Sequence, residues 1–116
     1  MDIYHIWCDL KPGAKDTDFC SDIDRYLGHL REREAIRGHR ITRRKLGLGP
    51  GSLGEFHIMI EVTDLAQLEA AFQHVAARTG DVETLHFAVN SKATNLQFAL
   101  YRDFPDAFRA RGDEKF

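Results

Sequence analysis

The chain has 116 residues, 43% of them hydrophobic and 29% charged, with 16 Lys and Arg against 18 Asp and Glu. Such a chain is one globular domain, long enough to bury a core without a disulfide or a metal, and no run approaches the ~20 apolar residues of a membrane span. The first ten residues lack a basic segment, and Asp2, His5 and Asp9 interrupt their apolar run; no signal or transit peptide is expected, which implies a cytoplasmic location with Cys8 and Cys20 as reduced thiols.

Ile3 to Leu10 is rich in β-formers and is followed by Lys11-Pro12-Gly13, so it reads as a first strand. From Thr17 the apolar residues fall at helical offsets: Phe19, Ile23, Tyr26, Leu27 and Leu30. Asp16 or Thr17 serves as N-cap, Arg31 and Arg33 lie near the far end, and the helix is expected to reach about Ala35. His39 to Leu46 is a charged, edge-type strand. The glycine-rich stretch Gly47 to Gly54 breaks it, and Glu55 to Val62 follows as the clearest strand, with Phe56, Ile58, Ile60 and Val62 alternating with His57, Met59 and Glu61.

Asp64 then caps a second helix, with Gln67 at the reciprocal position, Leu65, Leu68, Phe72, Val75 and Ala76 as its stripe, and Gly80 as terminator. Asp81 to Asn90 suits a strand or a short helix capped by Asp81, and helix is the preferred reading. Leu96 to Tyr101 alternates as a last strand, halted before Pro105. Residues 1–106 form the domain and 107–116 a charged, fraying tail, with Phe104, Phe108 and Phe116 able to dock.

The order strand, helix, strand, strand, helix, short helix, strand predicts an α+β fold. It is the ferredoxin-like βαββαβ arrangement: a four-stranded antiparallel sheet with both main helices on one face, and with the first and third strands central and, in this reading, parallel to each other. Two helices cover one side of such a sheet. With Tyr4, Ile6, Cys8 and Leu10 directed to the core, the other side carries Ile3, His5, Trp7 and Asp9, with His57, Met59 and Glu61, and with Gln97 and Tyr101. Four strands expose about 400 Å² there, at the upper end of what a monomer leaves in water. A second copy set sheet against sheet around a shared cavity is the expected remedy.

Gly49-Pro50-Gly51-Ser52-Leu53-Gly54 spells G-x-G-x-x-G, but it opens a strand, whereas a dinucleotide site needs it to open a helix. It reads as a flexible connection. Between Arg31 and Leu46, seven basic residues face Glu32 and Glu34, a local +5 that leaves −7 for the rest of a chain of net −2. This cluster suits a solvated edge strand or an anionic contact. Nucleic acid is disfavoured, because the chain is acidic overall and the sheet lacks the aromatic platform of RNA readers.

His57 and Glu61 stand about 13 Å apart on one strand, too far to share a metal, so no metal is expected. His5 lies on a neighbouring strand and is able to meet His57; if the two are directly opposite, Glu61 falls beside Asp9. A hairpin pairing Leu46 with Glu55 sets Glu61 opposite Arg40 and His57 opposite Arg44. A slip of one residue substitutes Ile41 and Lys45, with Arg43 also in question. His29, His39, His74 and His86 read as surface or packing residues, and Cys8 as an unreactive core thiol.

The segments Trp7 to Gly13, Tyr26 to Leu30, Arg43 to Pro50 and Phe98 to Pro105 resemble those of a small bacterial family of unknown function over about residues 1–106. The element order is similar to that of the dimeric α/β-barrel superfamily, which includes cofactor-independent monooxygenases, haem-degrading enzymes, lactone isomerases and ligand sensors. That resemblance implies a dimeric α/β barrel and offers a menu of activities. The haem-degrading pattern of Asn, Trp and His is not met, since Asn90 and His86 fall outside the predicted sheet.

The expected protein is a cytoplasmic homodimer, joined through the open sheet face, that needs no cofactor. It binds a small aromatic or anionic molecule, with Trp7, Met59, Glu61, Tyr101, Arg40 and Arg44 as ligand contacts and His5 or His57 as the catalytic base of an oxygenase or isomerase. The competing reading is a dimerisation or ligand-sensing module without catalysis.

Overall fold

The computed structural model describes residues 1–114. Its elements are β1 (Asp2–Leu10), α1 (Asp16–Glu32), β2 (Gly38–Arg43), β3 (Phe56–Val62), α2 (Leu65–Ala76), α3 (Gly80–Asn90) and β4 (Ala93–Arg102). The strands form one sheet in the order β2-β3-β1-β4, with β1 and β3 central. These two are antiparallel, not parallel as the sequence reading had them. The α1 crossover returns β2 in the direction of β1, and β3 then folds back as a hairpin and inserts between them, so it must run against both.

The helix-side core is the expected one on the sheet and α1, whereas Leu65, Phe72 and Ala76 of the expected α2 stripe are exposed. Cys8, Phe56, Ile58 and Val62 from the sheet meet Phe19, Ile23, Leu27 and Leu30 of α1, together with Leu68, Ala71 and Val82. Burial pushes the Cys8 thiol up to about 11, with Asp9 adding to the shift, so the thiol stays protonated and unreactive.

Several boundaries moved. Asp16 is the first helical residue of α1 and Lys15 its N-cap, without a side-chain cap, in place of the expected Asp16 or Thr17. The helix stops at Glu32, short of Ala35, because Glu34 turns left-handed at φ 60°. There the Glu34 N–H donates to the Arg31 carbonyl (3.0 Å) and the Ala35 N–H to the Leu30 carbonyl (2.9 Å), a Schellman stop built without glycine. Glu34→Gly removes the Cβ from a conformation L-residues resist. We expect a gain of about 1 kcal/mol, read as a thermal midpoint raised by about 4 °C; an unchanged or lower midpoint contradicts this account of the stop.

Asp64 caps α2 by accepting from the Gln67 N–H (2.9 Å), and the Gln67 side chain returns to accept from the Thr63 N–H (2.7 Å). Gly80 does not terminate α2. The helix ends at Ala76, Arg78 turns left-handed at φ 50°, and Gly80, at φ 65°, is the first residue of α3, whose N-cap is Thr79 rather than Asp81. Residues 80–90 are helical, as preferred. After β4 the chain folds back: Arg102 pairs with Asp2 (3.9 Å) and with the buried Asp106 (3.5 Å), and its guanidinium lies over Phe108. Phe104 is exposed, and Phe116 lies outside the described residues.

Candidate functional site

The sheet has two faces, and each carries a candidate. On the face away from the helices, the pairing sets His5 opposite Met59, Trp7 opposite His57 and Ile3 opposite both Glu61 and Tyr101. His5 and His57 are therefore diagonal neighbours and not directly opposite, and they meet: His5 Nδ1 lies 2.8 Å from His57 Nε2. One of these nitrogens donates and the other accepts. Trp7 stacks on His57 with ring centroids 4.4 Å apart and planes within 9°, and the Tyr101 ring stands edge-on to His5 at 4.9 Å. Burial lowers the pKa of both histidines, and His57 is lowered further by the charge of His5. Both rings are thus held neutral near pH 7. His5 Nε2 is buried without a hydrogen-bond partner among the described residues.

The β2 register corrects the expected hairpin. Arg40 lies opposite Met59, Thr42 opposite His57 and Gly38 opposite Glu61, a slip of two residues from the register that put Arg40 at Glu61 and Arg44 at His57. An even slip keeps the faces: Arg40 stays on the open side and Ile41 on the core side. The cause lies in the connection, where Leu46 and Gly47 turn left-handed at φ 57° and 67° and take the chain off the sheet two residues early. Arg44 has a job other than the expected ligand contact. Its guanidinium donates to the carbonyls of Pro50 (3.0 Å), Leu53 and Gly54, holding the glycine-rich loop. Arg43 is tied to Asp16 (2.9 Å) and Glu55 (3.1 Å). Because Glu61 faces Ile3, no like-charge pair with Asp9 arises. Asp9 instead accepts from the Glu55 N–H (2.9 Å) and Asn95 (3.2 Å), hydrogen bonds that lower its pKa. Among the described residues no three His, Cys, Asp or Glu side chains are grouped to hold a metal ion.

The second candidate escaped the sequence reading. Between the sheet and the helices lies a crevice of about 320 Å³ whose walls include Cys8, Phe19, Tyr4, Tyr26, Phe72 and Phe98. It exists because the helices do not cover β4: Phe98 and Leu100, on the helix side of that edge strand, are 57% and 52% exposed, and Phe72 of α2 is 49% exposed. Tyr4 spans the gap, edge-on to Phe72 at 5.2 Å and 5.9 Å from Phe98. Tyr26, raised to about 12 by burial and by the neighbouring Tyr4, remains a neutral phenol, and its ring sits 5.4 Å from that of His86. Alternation and helical spacing mark such residues as core, and neither pattern reports whether the core closes over them. The excess of large aromatics on one side was the only signal.

The fold is similar to that of At3g17210 from Arabidopsis thaliana, with a TM-score of 0.67 at 9% identity over 89% of this chain and 95% of that one. It is also similar to SnoaB, a cofactor-independent oxygenase from Streptomyces nogalater, at 0.60 and 11% over 90% and 95%. A dimeric ferredoxin-like protein of unknown function from Jannaschia sp. gives 0.60 and 12% over 89% and 100%. At such identities the likeness establishes the ferredoxin-like fold. No curated protein matches the chain in sequence. Residues 1–116 match a family described as a family of unknown function, DUF6614, and the chain belongs to it.

Proposed function

We propose that this protein is a homodimer that binds a small organic molecule in the crevice between sheet and helices, and that the open sheet face is the dimer surface. The observation that carries the ligand reading is the crevice itself. Its volume is at the lower end of the range, about 300–1,000 Å³, in which small-molecule sites fall; it reaches the fully buried Cys8 and Phe19, and its wall is apolar apart from a few polar groups. A closed core of this composition would leave no such space. Dimerisation is supported by Trp7, Met59, Ile3 and Tyr101 lying on one uncovered face, and by dimeric ferredoxin-like proteins among the similar structures.

The experiment is a calorimetric titration with naphthalene-sized probes. Binding is expected to be micromolar to millimolar for the wild type and to be lost in Ala76→Trp, which fills the crevice from an exposed position on its wall. Equal binding by that variant removes the crevice as the site.

A second reading rests on the unpartnered His5 Nε2. In a cavity enclosed by two sheets, His5 or His57 would take a proton from the ligand, Trp7, Met59 and Tyr101 would supply apolar contact, and Arg40 with Glu61 at the rim would set its polarity. Isomerisation would follow if the histidine returned the proton to another carbon, and oxygenation if dioxygen, as co-substrate and oxidant, added to the carbanion. Turnover of a screened substrate that survives His57→Ala eliminates this version.

A further inference from the structure

Resting on the reading of the crevice as the ligand site, the geometry points to its ligand class: an amphipathic organic anion, whose flat apolar body lies against Tyr4, Tyr26 and Phe98 and whose carboxylate, or a like oxyanion, is held at the mouth by Arg78. Three observations converge on this. First, the polarity of the wall is one-sided. The inner end is formed by the fully buried Cys8 and Phe19, while Arg78 is exposed. A molecule that matches both ends is apolar at one and charged at the other.

Second, the sign is fixed. No Asp or Glu lines the crevice, and its ionisable groups other than phenols and the Cys8 thiol are Arg78 and His86, both cationic when charged. Asp81 and Glu83, in the first turn of α3, offset the dipole of that helix and stand outside the wall. A carboxylate at the mouth therefore meets a guanidinium and no opposing charge.

Third, Arg78 is uncommitted and its backbone is held. Its guanidinium makes no ion pair or hydrogen bond among the described residues. By contrast, Arg25, Arg43, Arg44 and Arg111 are all engaged by carboxylates or carbonyls. Its left-handed backbone, with its N–H donated to the Val75 carbonyl (3.1 Å), ends α2 and fixes where the side chain leaves the chain. Arg31, Arg37 and Arg40 also lack ion pairs among the described residues, but none of them lines the apolar crevice. The two phenols add selectivity. Burial keeps both protonated, so they meet the ligand as hydrogen-bond donors and acceptors and not as competing anions.

The test compares naphthoate with naphthalenemethanol, two probes of nearly the same shape that differ in charge, by titration calorimetry on the full chain. For the wild type, naphthoate is expected to bind at least about 10-fold more tightly, with a margin that shrinks as salt is raised. Arg78→Gln abolishes that margin while leaving the affinity for the alcohol unchanged, and Arg37→Gln, outside the crevice, alters neither. Equal affinity of the wild type for the two probes, or a margin that survives Arg78→Gln, overturns the anion assignment and leaves the crevice as a neutral ligand site. If neither probe binds, the crevice reading itself falls, and the anion assignment with it.

Discussion

Replacing Gly54 by alanine is expected to cost the fold about 3 kcal/mol or more, a large share of the roughly 5–15 kcal/mol that holds a domain of this size together. Gly54 is buried at the end of the glycine-rich connection, against the central strand. A Cβ there would lie 2.5 Å from the Cys8 carbonyl carbon and oxygen and 2.6 Å from its nitrogen. The obstacle is main chain and cannot swing aside as a side chain would. Cys8 itself has no exposure, and the β1–β4 pairing already shifts register between Trp7 and Asp9, so the strand has nowhere to retreat. The close approach is locked from both ends, by Asp9 accepting the Glu55 N–H and by Arg44 gathering the loop carbonyls. Gly51, in the same loop, has open space around it and serves as the control. In thermal melts Gly51→Ala should keep the wild-type midpoint, and Gly54→Ala should lose about 12 °C or more or fail to fold. A Gly54→Ala protein within about 0.5 kcal/mol of wild type would show that the connection has room.

Trp7→Lys is expected to turn a two-chain particle into single chains of 13.3 kDa by light scattering. The indole lies at the middle of the uncovered face, stacked on His57, and an ammonium there would have to be desolvated by the second copy. The same face would make the proposed dimer pH-dependent. Burial depresses the histidine pKa values below the ordinary 6.5 already in the single folded chain, and a second copy laid over them would exclude more water and lower them further, so unfolded chains bind protons most readily, dissociated folded chains less and the dimer least. The contribution is full above about 6.5 and is lost as the pH falls through the lowered values. Around the pair stand Tyr101 of β4, Glu61 of β3, Arg40 of β2 and Asp9 of β1; Asp9, itself lowered by hydrogen bonds, titrates below the histidine window. Dissociation between about pH 6.5 and pH 5 that disappears in His5→Phe is the expected pattern. A dimer equally tight at both ends of that range rules the coupling out, and a monomeric wild type rules out the dimer surface.

The legible part of this protein was its local code. The period-two alternation of Phe56 to Val62 and the helical offsets from Phe19 to Leu30 identified both the elements and their inward faces, because a side chain's direction is set by the backbone period alone. The meeting of His5 and His57 was foreseeable to the same degree, since parity put both on one face of adjacent strands. The particulars of that meeting were not. Whether His57 faced His5 or Trp7 depended on the register of β1 on β3, which no residue in either strand specifies; the turn at Leu46 and Gly47 settled only the register of β2 on β3, by leaving the sheet early.

What the sequence alone determined is the order of elements, the division of each strand into a core side and an open side, and the placement of Trp7, His5, His57, Met59 and Tyr101 together. Tertiary structure alone decided the antiparallel central pair, the duty of Arg44 in the loop, and the crevice that joins Tyr26 of α1 to Phe72 of α2 and Phe98 of β4. The reason is one of range. Periodicity acts over a few residues and is written in them, whereas coverage of a sheet depends on where three helices come to rest across it, and the strip of β4 they leave bare has no counterpart in any local pattern.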